Sequence, residues 1–421
     1  MSTKYEDKMW ELALDLMPRG TQTMSKCPDQ FVDGVHPKFV DHGRGSKIYD
    51  LHGREYIDFM AALGPIILGH CDDRVDSAIS DQLRKGIIFS LPTLLEGEVA
   101  ERIVEAVPCA EQVRFAKNGT DATLAAVRIA RSATGREHIA KCGYHGWGDW
   151  HAITMRPQGI PSALKDIIHE FEYNNLQSLE DILLQHKTAA VILEPQALTA
   201  PAPGFLEGVR NLATKYGAVL IFDEVVTGFR WSFGGAQKKF GVTPDLACFG
   251  KAMANGMPLS AIAGKRELMQ ELNHAFFSMT AGGECLSLAA SKCTLDILGQ
   301  SDYEGHIWRL GGRLEDGMRK LLSEFKLDGT FAGSAPRHVL SFNPATYPDA
   351  AGMKDLFYQE MIKRGVLFGN VVYVTFAHTD LDIDVTLAAA REAMATVANC
   401  HMCVDSVLQG KRSVSVFRKN T

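Results

Sequence analysis

Three short stretches carry side chains suited to chemistry, and each follows an apolar run of strand length. The first is Ala116-Lys117-Asn118-Gly119-Thr120-Asp121-Ala122-Thr123. A strand ends there, one glycine turns the chain, and a helix opens with Thr and Asp in its first turn. Such a junction leaves backbone N–H groups unpaired at the positive end of a helix dipole. It suits a phosphate, with Asn118 and Thr120 adding donors beside Gly119; read alone, an ordinary helix cap is the simpler reading. The second stretch, Val219-Leu220-Ile221-Phe222-Asp223-Glu224, delivers Asp223 at the carboxyl end of an apolar strand. A magnesium-binding role in a nucleotide site would need a G-x-x-x-x-G-K-[ST] loop, and the chain has none. A half-buried Asp at that point needs a cationic partner instead. The third stretch lies twenty-eight residues on, where Leu246-Ala247-Cys248-Phe249-Gly250 ends and presents Lys251 among small residues. Most lysines are solvated, but one flanked by apolar and small residues has its amine shielded from water and made nucleophilic.

A phosphate cradle, a carboxylate and a lysine, each at a strand end, together suggest pyridoxal 5′-phosphate. The lysine would form the Schiff base, and the carboxylate would keep the pyridine nitrogen protonated so that the ring acts as an electron sink.

These groups need a rigid frame. Apolar runs at 112–116, 138–141, 189–193, 218–222, 246–249 and 260–263 read as strands, and helical patterns at 120–131, 179–185 and 206–216 lie between them. Buried strands alternating with helices imply a largely parallel sheet covered on both faces, an α/β architecture. Ligands of such sheets bind at the carboxyl ends of the strands, where all three stretches fall. Before this region, 47–58 reads as a hairpin turning at His52-Gly53, and Tyr5, Met9, Leu12 and Leu16 repeat at helical spacing. After it come a helix over 306–325, strand pieces near 339–343 and 371–376, and two further helices. The chain is thus expected to divide into an N-terminal segment 1–60 joining a small α+β domain, a large domain 61–305, and the C-terminal small domain 306–421.

The set Asn118-Gly119-Thr120-Asp121-Ala122, Tyr144-His145-Gly146-Trp147, Glu194-Pro195, Asp223 through Arg230, and Gly250-Lys251 resembles the class III aminotransferases, nearest their glutamate-1-semialdehyde aminomutase branch. The resemblance implies the fold-type-I PLP-transferase architecture, with a large, mostly parallel seven-stranded sheet domain and a small α+β domain. It assigns Lys251 to the cofactor's Schiff base and the proton transfer, and Asp223 to the pyridine nitrogen. Tyr144 would stack on one face of the ring and Val225 pack on the other. Asn118, Gly119 and Thr120 would hold the phosphate, with His145 and Glu194 nearby. Thr280 would reach the phosphate of a neighbouring subunit, which implies a homodimer with shared active sites.

Departures bear on the substrate. Where the aminomutase branch has an arginine for the substrate carboxylate, this chain has Gln30, which cannot make a bidentate charged pair. The segment after Tyr144-His145-Gly146 is shorter than the aminomutase's gating loop, and Leu63 replaces a bulkier aromatic. Together they favour two half-reactions with a separate amine donor and carbonyl acceptor over the aminomutase isomerisation, and Gln30 hints at a neutral acceptor.

Composition excludes broader classes. With 46% hydrophobic and 22% charged residues the chain is neither disordered nor fibrous. A net charge of −6 argues against a general nucleic-acid binder, which needs a basic face. No run reaches the ~20 apolar residues of a membrane helix, and no apolar signal segment follows the charged N-terminus. Nine scattered cysteines fit a reducing cytoplasm. Cys400-x-x-Cys403 reads as a helix-end pair. Cys142, His145 and His151 could be metal ligands, but His145 has the better use above, so no metal is assigned. The basic tail 411–419 reads as solvated.

Overall fold

The computed structural model describes residues 3–414. It separates into two compact units. The larger holds Gly64–Ile67 and Asp73–Glu304; the smaller takes the residues up to Leu63, Leu68–Asp72, and those from Gly305 on. The smaller unit is therefore assembled from both ends of the chain.

In the smaller unit, β1 (Val40–Arg44), β2 (Lys47–Asp50) and β3 (Glu55–Asp58) run antiparallel. The β2–β3 turn falls at His52-Gly53, where the Asp50 carboxylate accepts the N–H groups of His52 and Arg54 at 2.9 and 3.0 Å.

The larger unit is built on a seven-stranded sheet. Its strands are β4 (Gln112–Ala116), β5 (His138–Cys142), β6 (Ile168–Glu170), β7 (Thr188–Leu193), β8 (Val219–Asp223), β9 (Leu246–Phe249) and β10 (Ser260–Gly264). The order is β4-β10-β9-β8-β7-β5-β6. Strands β5 to β9 are mutually parallel, and β10 runs antiparallel to both its neighbours. Every residue of β7, β8, β9 and β10 is buried, which is why they read as unbroken apolar runs instead of alternating ones. The helix Gly119–Thr134 lays Ala122, Ala126 and Ile129 on one face of the sheet, against Ile192 and Ile221. Helices Leu176–Gln185 and Phe205–Tyr216 cover the other face, against Val191, Leu193, Leu220 and Phe222. Successive strand residues thus go to opposite layers. Each large aliphatic buried there contributes about 1.5–3 kcal/mol, and the two layers hold the carboxyl edge of the sheet rigid.

The C-terminal part of the smaller unit adds β11 (Gly329–Ser334), β12 (Arg337–Phe342), β13 (Val366–Leu367) and β14 (Val372–Tyr373). β11, β12 and β14 form one sheet, and β13 pairs in parallel with β3. The tail departs from the solvated reading. Lys411 exchanges backbone hydrogen bonds with Asp33 at 3.0 and 3.2 Å, and Arg412 forks onto Asp349 at 2.6 and 2.7 Å. Two carboxylates, Asp349 and Asp405, meet that guanidinium and hold its pKa above the usual arginine value. The basic residues Arg418 and Lys419 lie outside the described residues. The expected first helix is present as Thr3–Leu16, but its apolar stripe stays largely uncovered, with Leu16 69% exposed. No helix among the described residues is long and apolar enough to cross a membrane.

Candidate active site

The sheet positions the reactive residues by a simple rule. β4, β5, β7, β8 and β9 all end at one edge of the sheet. Asn118 to Thr120 follow β4, Tyr144 and His145 follow β5, Glu194 follows β7, Asp223 closes β8 and Lys251 follows β9. β10 starts at the same edge, and its Ser260 hydroxyl donates to the Asn118 carbonyl at 2.8 Å.

Asp223 is buried, 5% exposed. Its Oδ1 accepts the Val225 N–H at 3.1 Å, and its Oδ2 lies 2.8 Å from His145 Nδ1. His145 Nε2 lies 3.1 Å from the Cys142 carbonyl oxygen. The imidazole thus lies between two acceptors and supplies the polar partner that a buried carboxylate in this position requires. The ring is 1% exposed and stacks on Trp150 with centroids 5.8 Å apart. The His145 backbone N–H donates to His151 Nε2 at 3.3 Å. Burial foremost, then the charge of His145, lowers the His151 pKa to about 2, so His151 stays neutral as an acceptor should. Both His145 nitrogens are thereby committed, and a metal reading of Cys142, His145 and His151 loses its central ligand.

At the β4 turn, the Asn118 N–H donates to Asp121 Oδ2 at 2.7 Å, closing the helix start. The first-turn N–H groups of Gly119 and Thr120 have no intrahelical carbonyl to bind. Gly119 is required by proximity: a Cβ there would stand 2.8 Å from Val225 Cγ1. A Cβ on Gly250 would stand 3.5 Å from the same atom, so Val225 joins the turn before the helix to the strand that carries Lys251. Thr120 Oγ1 accepts the Trp147 N–H at 3.2 Å. Gly146, at φ +98°, lets this happen, since its Cβ would lie 2.1 Å from that oxygen. Lys251 itself sits at φ +43°, a left-handed conformation that costs a residue with a Cβ about 1–3 kcal/mol and collects at functional sites.

Tyr144 is 49% exposed. Its N–H donates to Glu194 Oε1 at 3.2 Å, and its ring meets His151 edge-on at 5.3 Å. Burial, with a smaller push from the charge of Asp223, raises its hydroxyl pKa. Glu224, next to Asp223, turns the other way into the interior. It accepts from Thr227 Oγ1 and the Ala236 N–H at 2.6 Å and from the Gln237 N–H at 2.9 Å. Arg230, fully buried, donates to the carbonyls of Gly64 and Ile66 at 2.8 and 2.9 Å. The run from Asp223 to Arg230 thus divides into one carboxylate at the site and two buried, hydrogen-bonded anchors, Glu224 and Arg230.

Two expected participants stand elsewhere. Thr280 is exposed, and no hydrogen bond among the described residues ties it to Asp223, Lys251 or Asn118. Gln30 is buried within the smaller unit, its amide donating to Asp29 Oδ1 at 3.0 Å and to the Val414 carbonyl. That engagement gives Gln30 a structural duty and removes the basis for reading it as a recogniser of neutral acceptors. Ser260 and His151 were not singled out by sequence as supports; Ser260 acts through a hydrogen bond to Asn118, 142 residues away, and His151 through one to His145, six residues away across a loop and not at a regular helical or strand period.

The sequence model described as aminotransferase class-III matches residues 31–330. A 3-aminobutyryl-CoA aminotransferase of Cloacimonas acidaminovorans is 38% identical over 92% of this chain and 96% of its own length. A glutamate-1-semialdehyde 2,1-aminomutase of Natranaerobius thermophilus is 34% identical over 93% of this chain and 98% of its own. Among solved structures, the FumI protein of Sphingopyxis sp. MTA144, in a PLP form, superposes with a TM-score of 0.89 at 26% identity, covering 96% of this chain and 100% of that one.

Proposed function

Because the chain belongs to the class III aminotransferase family, we propose that it is a PLP-dependent transaminase in which Lys251, Asp223 and the Asn118–Thr120 turn serve one cofactor. The observation that carries this is the convergence of a helix N-terminus, a histidine-backed buried carboxylate and a strained lysine at the carboxyl edge of one sheet. The residues fit the group. The open N–H groups of Gly119 and Thr120 suit a phosphate, and a Cβ at Gly119 would crowd the cradle against Val225. When bound, pyridoxal 5′-phosphate supplies a ring that withdraws electrons from the carbon bearing the amine.

The protein does the rest. Lys251 Nζ would hold the group's carbonyl carbon at rest; a donor amine that takes its place there would free the Lys251 amine, which could then accept the proton from the donor carbon and return it. Asp223, positioned by the His145 ring and the Val225 N–H, would hold the proton of the ring nitrogen. Tyr144 and Val225 would confine the ring, and Glu194 fixes the Tyr144 backbone. A donor amine or amino acid gives up its nitrogen in one half-reaction, and a ketone or aldehyde receives it in the second. The aminomutase isomerisation, the activity in the name of the Natranaerobius relative, is the competing reading.

Single-turnover analysis separates them. Addition of a donor amine to the cofactor-loaded enzyme should release a free carbonyl product in stoichiometric amount. Isomerisation of a diamino acid with no released carbonyl product would overturn the transaminase reading. Lys251→Ala should abolish the visible absorbance of the bound cofactor and lower turnover by at least ~10³-fold, the scale of losing a positioned proton-transfer group.

The active form is a homodimer in this reading. Ile87, Ile88, Phe89, Leu91 and Leu94 are 46%, 46%, 50%, 78% and 84% exposed, an apolar concentration that soluble monomers seldom leave bare. The segment carrying Thr280 borders it, with the Cys285 N–H on the Ile87 carbonyl at 2.8 Å. A second copy seated there would bring Thr280 toward its neighbour's phosphate. The free cysteines support a reducing, cytoplasmic setting.

A further inference from the structure

At the far end of the same sheet, away from Lys251, three imidazoles meet. His138 opens β5, His169 stands in β6, and His186 follows the helix Leu176–Gln185 just before β7. β5 lies between β6 and β7, and the register gathers the three. His138 pairs with Thr188, two residues past His186, and His169 pairs with Ala140, which shares the face of His138. His138 Nδ1 lies 2.9 Å from His169 Nε2. The rings of His169 and His186 stack at 4.0 Å and those of His138 and His186 at 4.7 Å. One nitrogen from each residue lies within 4.8 Å of the other two, and all three residues are half-buried.

We propose that His138, His169 and His186 form a binding site for a late first-row divalent cation of the zinc and nickel class, remote from the transaminase centre. Imidazole is the ligand such ions share. Zinc–nitrogen bonds of about 2.0–2.1 Å put tetrahedral ligand nitrogens about 3.3–3.4 Å apart, so small side-chain rotations would part the 2.9 Å pair slightly and draw in the third nitrogen. Three protein ligands leave a fourth position open to water. The ion would fasten the three-residue edge strand β6 to the strand beside it and to the connection before β7. Separations of 31 and 17 residues match no metal motif, so spacing alone does not reveal the cluster.

Nickel chloride titrated calorimetrically into the full-length, cofactor-loaded protein at pH 7.5 provides the test. One Ni²⁺ per chain should bind with a dissociation constant of about 10 μM or tighter, and the thermal midpoint should rise with added Ni²⁺. His169→Ala should weaken binding at least tenfold and abolish the midpoint rise, with the cofactor absorbance unchanged. Should that edge-strand variant fail to fold, His186→Gln, in a connection, should show the same loss. Absence of binding at 1 mM Ni²⁺, or affinity within twofold of wild type in the triple variant His138→Ala/His169→Ala/His186→Ala, overturns the proposal, the latter by placing the ion on other groups such as the exposed cysteines.

Discussion

The His145–Asp223 pair gives the sharpest quantitative expectation. The two groups are 1% and 5% exposed and 2.8 Å apart, and Asp223 also accepts the Val225 N–H. Removing one partner of a buried ion pair strands the other charge and costs about 3–5 kcal/mol. His145→Ala should therefore lower the urea-unfolding free energy of the cofactor-free protein by that amount, a shift of at least ~100-fold in the folded-to-unfolded ratio. Part of this would be the void beside Trp150, so the pair term needs isolating. Asp223→Asn removes the stranded charge, and the cycle of the two single variants and the double should show a coupling of about 1–3 kcal/mol. His145→Gln, which keeps a donor but no charge, should fall between Ala and wild type. The same His145 variants should lose affinity for the cofactor in the same order, because Asp223 without its 2.8 Å partner is no longer held in place. Coupling below ~0.5 kcal/mol, within the error of independent sites, with unchanged cofactor affinity would refute the argument that His145 is what makes Asp223 useful.

Other outcomes follow from single contacts. Gly119→Ala places a Cβ 2.8 Å from Val225 Cγ1; overpacking of about 1–3 kcal/mol should appear as weakened cofactor binding in equilibrium dialysis, partly restored by Val225→Ala. Glu224→Ala leaves the buried N–H groups of Ala236 and Gln237 without their acceptor and should destabilise by about 2–5 kcal/mol in chemical denaturation, far more than Glu224→Gln. Burial, against a weak Val32 carbonyl contact, lowers the His36 pKa from 6.5 to about 4. A histidine depressed in the folded state binds its proton first in the unfolded chain, so its stabilising share is whole above pH 6.5 and drains away as pH falls toward 4. The urea midpoint should drop across that window, and His36→Leu should flatten the slope; an unchanged slope would contradict this account.

How much of this was readable from residues alone varies with the kind of evidence. β8 and β9 were legible because burial on both faces makes a continuous apolar run, and Asp223 and Lys251 then fall at strand ends by counting. β6 was missed: Ile168-His169-Glu170 is three residues on a sheet edge with one apolar side chain, too short for any period. β11 was missed because Gly329-Thr330-Phe331-Ala332-Gly333-Ser334 has little β propensity and is held by its pairing with β12. The strand expected over 371–376 contracts to Val372–Tyr373. At the site, the need of Asp223 for a partner was legible from its burial, but not that His145, 78 residues earlier, is that partner. Gln30 shows the opposite error: an aligned position suggested substrate contact, whereas its amide is spent on the Val414 carbonyl.

The single reversed strand, β10, acts as a spacer. It separates β4 from β9, while β9 and β8 are direct neighbours with Asp223 in register with Cys248. At about 4.8 Å per strand, the lysine-bearing strand lies one step from the carboxylate and two steps, roughly 9–10 Å, from the turn that offers its N–H groups. The breadth of molecule this edge can grip is thus set by lattice spacing in the sheet and not by side-chain reach. A bulge or deletion in β10 would change that gauge while leaving every reactive residue in place, and a variant of this kind should lose its cofactor without losing its fold.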